Sequence, residues 1–389
     1  MTELQQLINE LCPNGVKFVA LEECCKILDN KRKPVTKAAR QAGEYPYYGA
    51  NGIQDYVSDY IFDGIFVLVG EDGSVVTPSG NPVVNWATGK IWVNNHAHII
   101  EEKDGVLLRY LYHYLQTANV SALIHGNIPK LTGGDFRAIK VPVPPLPVQS
   151  EIVRILDNFT ELTAELTAEL TARKQQYAHY RDTLLKLDNN VPSYTLKDIC
   201  LSIADGDHMP PPKADSGVPF ITISNITETR QIDFSNVMYV PREYYDKLAD
   251  KRKAKRDDIL YTVVGSFGIP VHISSKTEFV FQRHIAILRP NQQMIVPRYM
   301  YHIMQSTEFY KQADKAAKGA AQRTIGLSSL GNMTIPLPSI EEQKRIVAIL
   351  DRFDTLCNDI SAGLPAEIEA RQKQYEYYRD KLLTFEPAK

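Results

Sequence analysis

The chain has 389 residues, 44% of them hydrophobic, which gives room for two or three domains. The sequence has neither a charged-then-apolar leader nor an apolar run of about 18 residues, so secretion and membrane spanning are not expected. Its five cysteines are scattered without a CxxC pair, which argues against disulfides or a zinc site and favours a reducing cytoplasm. The formal net charge is −2 and only residues 190–338 are net basic, at +4, so any surface for a polyanion must consist of local patches.

In chain order, the first half predicts a short helix, a strand-rich domain and a long helix. Residues 1–12 predict a helix that ends before a Pro-Asn-Gly turn. Short apolar runs between Gly, Asp and Asn from residue 16 to about residue 100 predict strands, and residues 106–116 carry apolar side chains at helical spacing. The Pro-rich segment VPVPPLP at 141–147 then ends the domain.

Residues 149–187 predict one long helix, because they contain no Pro or Gly and nine of eleven positions at alternating spacings of four and three are apolar. Such a helix is roughly 60 Å long and pairs with a second helix. The predicted pairing positions are Leu156, Phe159, Leu166, Leu170, Tyr177 and Tyr180. Two TAEL units occupy 163–166 and 167–170. Since four residues turn a helix by about 400°, adding or removing one unit moves the apolar stripe by only about 40°.

The second half repeats this plan. QSEIVRILDNF at 149–159 returns as QKRIVAILDRF at 343–353, and RKQQYAHYRDTLL at 173–185 returns as RQKQYEYYRDKLL at 371–383. The second helix has four more residues between its matching ends, and Gly363 and Pro365 in that insertion predict a kink or break. Its predicted pairing positions are Leu350, Phe353, Tyr375 and Tyr378, and core packing is expected for all four tyrosines of the two helices.

The predicted fold class is α+β, with two globular α/β domains joined by two long antiparallel coiled-coil helices in a circular pseudo-two-fold arrangement. Residues 8–25 resemble 183–200, so the N-terminal helix is interpreted as the end of a third, truncated helical repeat. The predicted divisions are an N-terminal helix, a first globular domain, a central helix, a second globular domain and a C-terminal helix, at 1–14, 15–148, 149–189, 190–338 and 339–389.

These duplicated helix starts and ends, together with the tandem TAEL units, resemble the specificity subunits of type I restriction–modification systems. GNIPKL at 126–131 and GAAQRTIGL at 319–327 add to the resemblance, which covers the whole chain. It implies a non-catalytic subunit with two target-recognition domains, each reading one half of a split, asymmetric site in double-stranded DNA. It also implies docking of two adenine-N6 methyltransferase subunits and two restriction subunits, and a bacterial or archaeal, cytoplasmic, DNA-associated location. S-adenosylmethionine, ATP and Mg²⁺ would belong to those partners, with no cofactor or metal on this chain.

No catalytic set emerges from the sequence. The nearest match to the (D/N)PP(Y/F) tetrapeptide of amino-methyltransferases is NPVV at 81–84, and Gly89-Lys90 does not complete a phosphate-binding loop. Asp205-Gly206-Asp207-His208 suggests a metal or a general base, but a polar turn before three prolines is the simpler interpretation.

In type I specificity subunits, TAEL copy number sets the spacer between half-sites. One unit adds about 6 Å of helix, against about 3.4 Å per base step.

Candidate DNA contacts combine basic clusters, glycine-rich turns and side chains that pair with base edges. KRKAKR at 251–256 and KRK at 31–33 suit phosphate neutralisation, although a solvated helix face explains either cluster equally well. The histidines at 96 and 284 lie in matching positions, where packing is at least as good an explanation as DNA contact. The full set of candidates is Lys31, Arg32, Lys33, Ser74, Asn94, Asn95, Lys130, Lys251, Arg252, Lys253, Arg256, Ser266, Gln282, Arg283 and Arg323.

Two other functions stay open at this point. A coiled-coil scaffold without DNA recognition has no need of two large, unlike globular domains. The specificity part of a fused methyltransferase–nuclease is disfavoured by the chain length and the missing tetrapeptide.

Overall fold

The structure is a computed structural model that describes residues 3–73, 75–188, 190–206, 210–320, 322–359 and 361–389. The chain divides into two compact units. Unit 1 comprises Met1–Glu165 and Glu369–Lys389, and unit 2 comprises Leu166–Ile368. Within the described ranges, no helix has both the length and the hydrophobicity that a membrane span requires.

The first half begins with a helix and continues mainly as strands up to a long helix. Its helices are α1 (Glu3–Leu11), α2 (Leu21–Cys24), α3 (Leu108–Leu115), α4 (Gly133–Ala138) and α5 (Leu146–Leu185). Its strands are β1 (Phe18–Ala20), β2 (Lys26–Ile27), β3 (Ala42–Gly49), β4 (Gly52–Val57), β5 (Phe62–Gly70), β6 (Val84–Val93), β7 (Ala97–Glu101), β8 (Ile124–His125), β9 (Lys130–Leu131) and β10 (Lys140–Pro142).

The second half also enters on a short strand and leaves on a Pro-rich strand followed by long helices, but its elements between these differ. Its helices are α6 (Leu196–Ile199), α7 (Arg242–Lys247), α8 (Pro297–Ile303), α9 (Thr307–Ala316), α10 (Leu327–Gly331), α11 (Ile340–Asn358) and α12 (Leu364–Leu382). Its strands are β11 (Ser193–Thr195), β12 (Cys200–Asp205), β13 (Val218–Ile221), β14 (Met238–Val240), β15 (Ile259–Thr262), β16 (Pro270–His272), β17 (Val280–Phe281), β18 (Ile285–Pro290) and β19 (Thr334–Pro336).

The two units contain different main sheets. Unit 1 has a six-stranded sheet in the order β2-β7-β5-β6-β3-β4, antiparallel except for the β3–β6 pair. Unit 2 has a four-stranded antiparallel sheet, β12-β18-β15-β16, and a three-stranded sheet, β14-β13-β17. The central strand β5 is apolar along its second half, where Val67, Leu68 and Val69 are fully buried, and in unit 2 all four residues of β15 are buried. Both cores are therefore built on a strand covered on both faces.

A small two-stranded sheet recurs in both units. β1 pairs antiparallel with β10 in unit 1, and β11 pairs antiparallel with β19 in unit 2. In each case the strand that enters the domain pairs with the Pro-rich strand that leaves it. In unit 1 the C-terminal tail also returns to the N-terminal region, where Val16 and Pro387 form a parallel bridge.

The long helix predicted at 149–187 is present with shifted ends. α5 begins at Leu146, three residues earlier than predicted, since Pro147 in the first turn lacks only an N–H that would have no partner inside the helix. It ends at Leu185 rather than at residue 187.

The predicted break in the second helix is confirmed. α11 ends at Asn358 and α12 starts at Leu364, so Pro365 lies in the first turn of α12, where it is tolerated. A Cβ at Gly363 would lie 2.5 Å from the carbonyl oxygen of Thr355, so this turn requires glycine.

Candidate nucleic-acid interface

In unit 1, a compact charge network holds one of the predicted DNA contacts. The Arg32 side chain is only 13% exposed, and its Nη1 donates to Glu71 at 2.6 Å and to the carbonyl oxygen of Ala97 at 2.7 Å. Its guanidinium therefore ties the segment after β2 to the ends of β5 and β7. The predicted role of Arg32 as a phosphate ligand does not fit this placement, because a buried ion pair is costly to break.

His98 is the centre of the same network. Its Nδ1 lies 2.7 Å from Asp29 and its Nε2 lies 3.0 Å from the carbonyl oxygen of Leu131. The two ring nitrogens thus link the segment after β2 to β9. Burial raises the pKa of Asp29, but the hydrogen bonds and charge of His98 outweigh it and hold that pKa below its usual range.

Asp29, Glu71 and His98 are close enough to hold a metal ion. The cations of the chain already fill that role, since Glu71 binds Arg32 at 2.6 Å and Lys130 at 3.1 Å. The donor set therefore fits an internal ion-pair network better than a metal centre.

The other candidates of unit 1 divide by exposure. Lys31, Lys33 and Asn95 are exposed, and Lys130 is half-exposed beside Glu71. Asn94 is buried, with its side chain accepting from His96 N at 2.8 Å and donating to Gln54 at 3.3 Å, so it stabilises a turn and cannot reach a base. Ser74 lies outside the described residues.

In unit 2, the basic cluster at 251–256 is a single 3-10 turn and an extended segment, not the helix face considered from the sequence. Asp250 binds both Lys255 and Arg289 at 2.8 Å, and Arg252 lies 3.4 Å from Asp205. Lys253 donates to the carbonyl oxygen of Asp246 at 2.9 Å. Lys251 and Arg256 are exposed and remain the phosphate contacts that this geometry favours.

Gln282 and Arg283 border a cavity of about 390 Å³ in unit 2, whose walls include Phe220, Tyr239 and Lys213. Arg283 is exposed at the rim and Gln282 is partly buried, so both amide and guanidinium groups that pair with base edges are available there. Burial lowers the pKa of His284, the next residue along this wall. Of the DGDH motif, residues 207 and 208 lie outside the described residues.

Arg323 and Lys130, which occupy matching places before the two Pro-rich exits, each bind a carboxylate of their own unit. Arg323 binds Asp314 at 2.6 Å and lies 5.1 Å from the centre of the Phe267 ring. Ser266, in the turn after β15, is exposed. Both cations keep 42–46% of the side chain exposed, so each can exchange its carboxylate for a phosphate.

The predicted pairing positions of the helices differ in how far their side chains are buried. Leu156 and Leu350 are fully buried. Phe159 stacks on Tyr378 in unit 1 at 5.4 Å between ring centres, and Phe353 stacks on Tyr180 in unit 2, also at 5.4 Å. The expectation that all four tyrosines are core residues is wrong for Tyr180 and Tyr378, which are 42% and 36% exposed.

The middle of α5 differs from its ends. No side chain from 157 to 176 is buried, and the predicted pairing residues Leu166 and Leu170 are only partly covered. The TAEL units therefore lie in a stretch whose length can change without opening a core.

Tyr177 and Tyr375 are buried, and each belongs to a four-residue hydrogen-bonded network that the sequence reasoning missed. In unit 1, His113 lies 3.1 Å from the Tyr375 hydroxyl and 2.8 Å from Asp157, which also accepts from Arg109 at 2.8 Å. The network of unit 2 is the same, formed by His302, Tyr177, Asp351 and Arg298. The signal in the sequence is RYxYH at 109–113 and 298–302, followed by the aspartate of each ILDxF.

These two histidines are neutral. Burial lowers the pKa of both His113 and His302, against the hydrogen bond to the aspartate, which raises it. The Nε2–H group then donates a hydrogen bond to the aspartate, and Nδ1 accepts a hydrogen bond from the tyrosine hydroxyl. Each network fixes the end of one long helix (Tyr177 or Tyr375) to the start of the other (Asp351 or Asp157) and to the helix before the Pro-rich exit.

A pair of buried glutamines is also repeated. We call the small two-stranded sheet, the His–Tyr–Asp–Arg network and this buried glutamine, which both units share, the repeated frame. Gln149 accepts from Leu107 N at 2.9 Å and donates to the carbonyl oxygen of Pro144 at 2.8 Å. Gln343 does the same with Val296 N at 2.8 Å and Pro338 at 2.9 Å. Both helix starts are thus hydrogen-bonded to their own domains.

The repeated frame matches the family described as the type I restriction modification DNA specificity domain, over residues 13–173 and again over 189–370. The chain belongs to this family. A putative type I restriction enzyme specificity subunit of Haemophilus influenzae is 38% identical over 386 residues, 95% of this chain and 96% of that protein. A type I restriction enzyme specificity subunit of Escherichia coli is 37% identical over 73% of this chain and 72% of its own length.

Solved structures of the specificity family show the same fold. The type I restriction–modification S subunit of Mycoplasma genitalium aligns with a TM-score of 0.57 at 15% identity, covering 95% of this chain and 96% of that one. The resemblance stated from the duplicated helices is thereby confirmed, as is a mixed α and β fold with one 40-residue helix. The domain boundaries and the individual contact residues stay predictions.

Proposed function

We propose that this chain is the non-catalytic, DNA-reading subunit of a type I restriction–modification complex. In this proposal, unit 1 and unit 2 each read one half of an asymmetric, bipartite DNA site, the long helices run antiparallel and set the spacer, and two adenine-N6 methyltransferase subunits dock on the chain. Two restriction subunits join through the complex, and S-adenosylmethionine, ATP and Mg²⁺ are bound by the partners. The complex acts on DNA in the cytoplasm.

One observation carries the proposal: the frame is duplicated while the reading domains are not. Both units repeat the His–Tyr–Asp–Arg network, the buried glutamine and the small sheet. Their main sheets differ in strand number and order. A repeated frame that presents two unlike surfaces suits two different half-sites, because base contacts depend on the loops and strands presented and not on the frame.

The exposed candidates favour phosphate contact and base reading by separate groups. Lys31, Lys33, Lys251 and Arg256 are exposed cations of the kind that bind phosphates. Gln282 and Arg283 present base-pairing groups beside a cavity in unit 2. A pure scaffold has no use for this second set.

The test is reconstitution of the chain with its methyltransferase partner, followed by gel shifts on random and selected DNA and by mapping of methylated adenines. We expect binding to one bipartite sequence. Equal affinity for random DNAs at physiological salt would contradict the proposal.

Deletion of residues 163–166 tests the spacer directly. It removes one TAEL unit, about 6 Å of helix, from a stretch without buried side chains. We expect both half-sites to be retained and the spacer between them to shorten by one or two base pairs. An unchanged spacer would contradict the role of α5, even if sequence-specific binding is intact.

A further inference from the structure

The arginine of each RYxYH motif lies over a tyrosine ring in both units, and in unit 1 a second ring lies at a similar distance. In unit 1 the Arg109 guanidinium lies 4.6 Å from the ring centre of Tyr112 and 4.7 Å from that of Trp86, and the two ring centres are 5.6 Å apart. Trp86 belongs to β6, the neighbour of β5. The indole therefore packs edge-to-face on the phenol and fills the space beside both Tyr112 and Arg109.

In unit 2 the corresponding strand carries a smaller ring. Arg298 lies 4.5 Å from the ring centre of Tyr301, as Arg109 does from Tyr112. β16 is the neighbour of β15 and places His272 6.2 Å from Tyr301. Beside these three residues lies a cavity of about 440 Å³, a size that suits a small ligand.

The carboxylates of this cavity already have partners. Asp354 accepts from Arg298 at 2.7 Å and from Asn358 at 2.8 Å. Asp359 accepts from the backbone N–H of Ser361 at 2.7 Å. The acidic side of the cavity is thus satisfied within unit 2.

Arg230, also in the cavity wall, differs from these carboxylates because one of its donor atoms has no partner within the described ranges. Its Nε is buried and has no hydrogen-bond partner among the residues that the structure describes. Its backbone φ is +59°, a left-handed conformation that is unfavourable for a residue other than glycine. The side chain as a whole is partly exposed, so its charge lies at the cavity wall while one buried donor atom lacks a described partner, a combination typical of a site built for a ligand.

We propose that this cavity binds a small molecule that joins a flat aromatic ring to an anionic group, the chemical class of a nucleoside monophosphate. The ring packs beside Arg298, in the place that Trp86 takes beside Arg109, and the anion is bound by Arg230. The neutral state of His272, whose pKa is lowered by burial and by Arg298, leaves Arg230 as the charge that selects the anion. This site is independent of the proposed DNA-reading function.

The experiment measures binding of AMP, adenosine and inorganic phosphate to the full-length chain by calorimetry. We expect AMP to bind more tightly than either fragment. Arg230→Ala should weaken AMP binding roughly 10- to 100-fold, as expected for loss of a charge-assisted hydrogen bond. His272→Trp, which restores the ring found in unit 1, should fill the cavity and abolish AMP binding.

Lys276→Ala is the matched control, because Lys276 is an exposed cation four residues from His272 and outside the cavity wall. Its affinity for AMP should equal that of the unchanged chain, and circular dichroism melts should show that all variants fold. The proposal is overturned if AMP does not bind at millimolar concentration, if phosphate or adenosine binds as tightly as AMP, or if Arg230→Ala or His272→Trp binds AMP normally.

Discussion

Unit 1 and unit 2 share a frame and differ in what they build on it. The frame consists of a buried His–Tyr–Asp–Arg network, a buried glutamine and a small sheet, with closely similar distances in both units. Next to the network, Trp86 fills in unit 1 the place that His272 leaves partly open in unit 2. The comparison teaches that the residues fixing the helices are constrained by buried polar contacts, whereas the domain surfaces are free to diverge.

The largest expected effect comes from the buried leucines at the two helix starts. Leu156→Ala and Leu350→Ala each remove a fully buried side chain at the same place in the frame. Each should lower the free energy of unfolding by about 2–5 kcal/mol. Urea unfolding measures this, with Leu162→Ala as an exposed control on α5. A loss below about 1 kcal/mol in one unit only would break the equivalence of the two frames.

A smaller loss is expected when the difference between the units is removed. Trp86→Ala should lower the free energy of unfolding by about 2–3 kcal/mol, less than the loss of a fully buried tryptophan, because the indole is partly exposed. It opens beside Arg109 the space that exists beside Arg298. Thermal unfolding should show the loss for Trp86→Ala and little change for His272→Trp; a neutral Trp86→Ala would show that the indole does not close the site.

The networks make stability depend on pH in a predictable direction. The pKa values of His113 and His302 in the folded chain lie below the unfolded value of 6.5, so below that pH the unfolded chain binds protons that the folded chain does not. Stability should therefore fall between pH 7.5 and 5.5, by at most about 1.4 kcal/mol per pH unit for each histidine. His113→Gln should reduce this slope, while His179→Gln, at an exposed position, should leave it unchanged.

The exposed cations should affect DNA binding without affecting stability. Lys251→Ala and Arg256→Ala should each weaken binding to all DNA sequences and reduce the slope of log affinity against log salt by about one. Arg32→Ala is the contrasting variant, because its buried ion pair predicts a lower unfolding midpoint. A normal salt slope for both surface variants, measured with the methyltransferase partner present, would place the phosphate contacts elsewhere.

Much of the frame could be predicted from the sequence, since repetition and periodicity are visible in it. The long helix, the break at Gly363 and the duplication followed from spacing alone. The networks did not, because Tyr375 and His113 are 262 positions apart and only folding brings them together. Exposure was equally inaccessible: Asn94 and Arg32 have the side chains of DNA contacts, but a buried turn and an internal ion pair use them.

We propose that two unlike units on one frame read two different half-sites. Mapping of methylated adenines tests it most directly, in a strain that carries the system with either the unchanged chain or the Gln282→Ala/Arg283→Ala variant. We expect one bipartite sequence for the unchanged chain, and for the variant a sequence that is relaxed in one half while the other half and the spacer are retained. A single contiguous site, or loss of specificity in both halves at once, would contradict it.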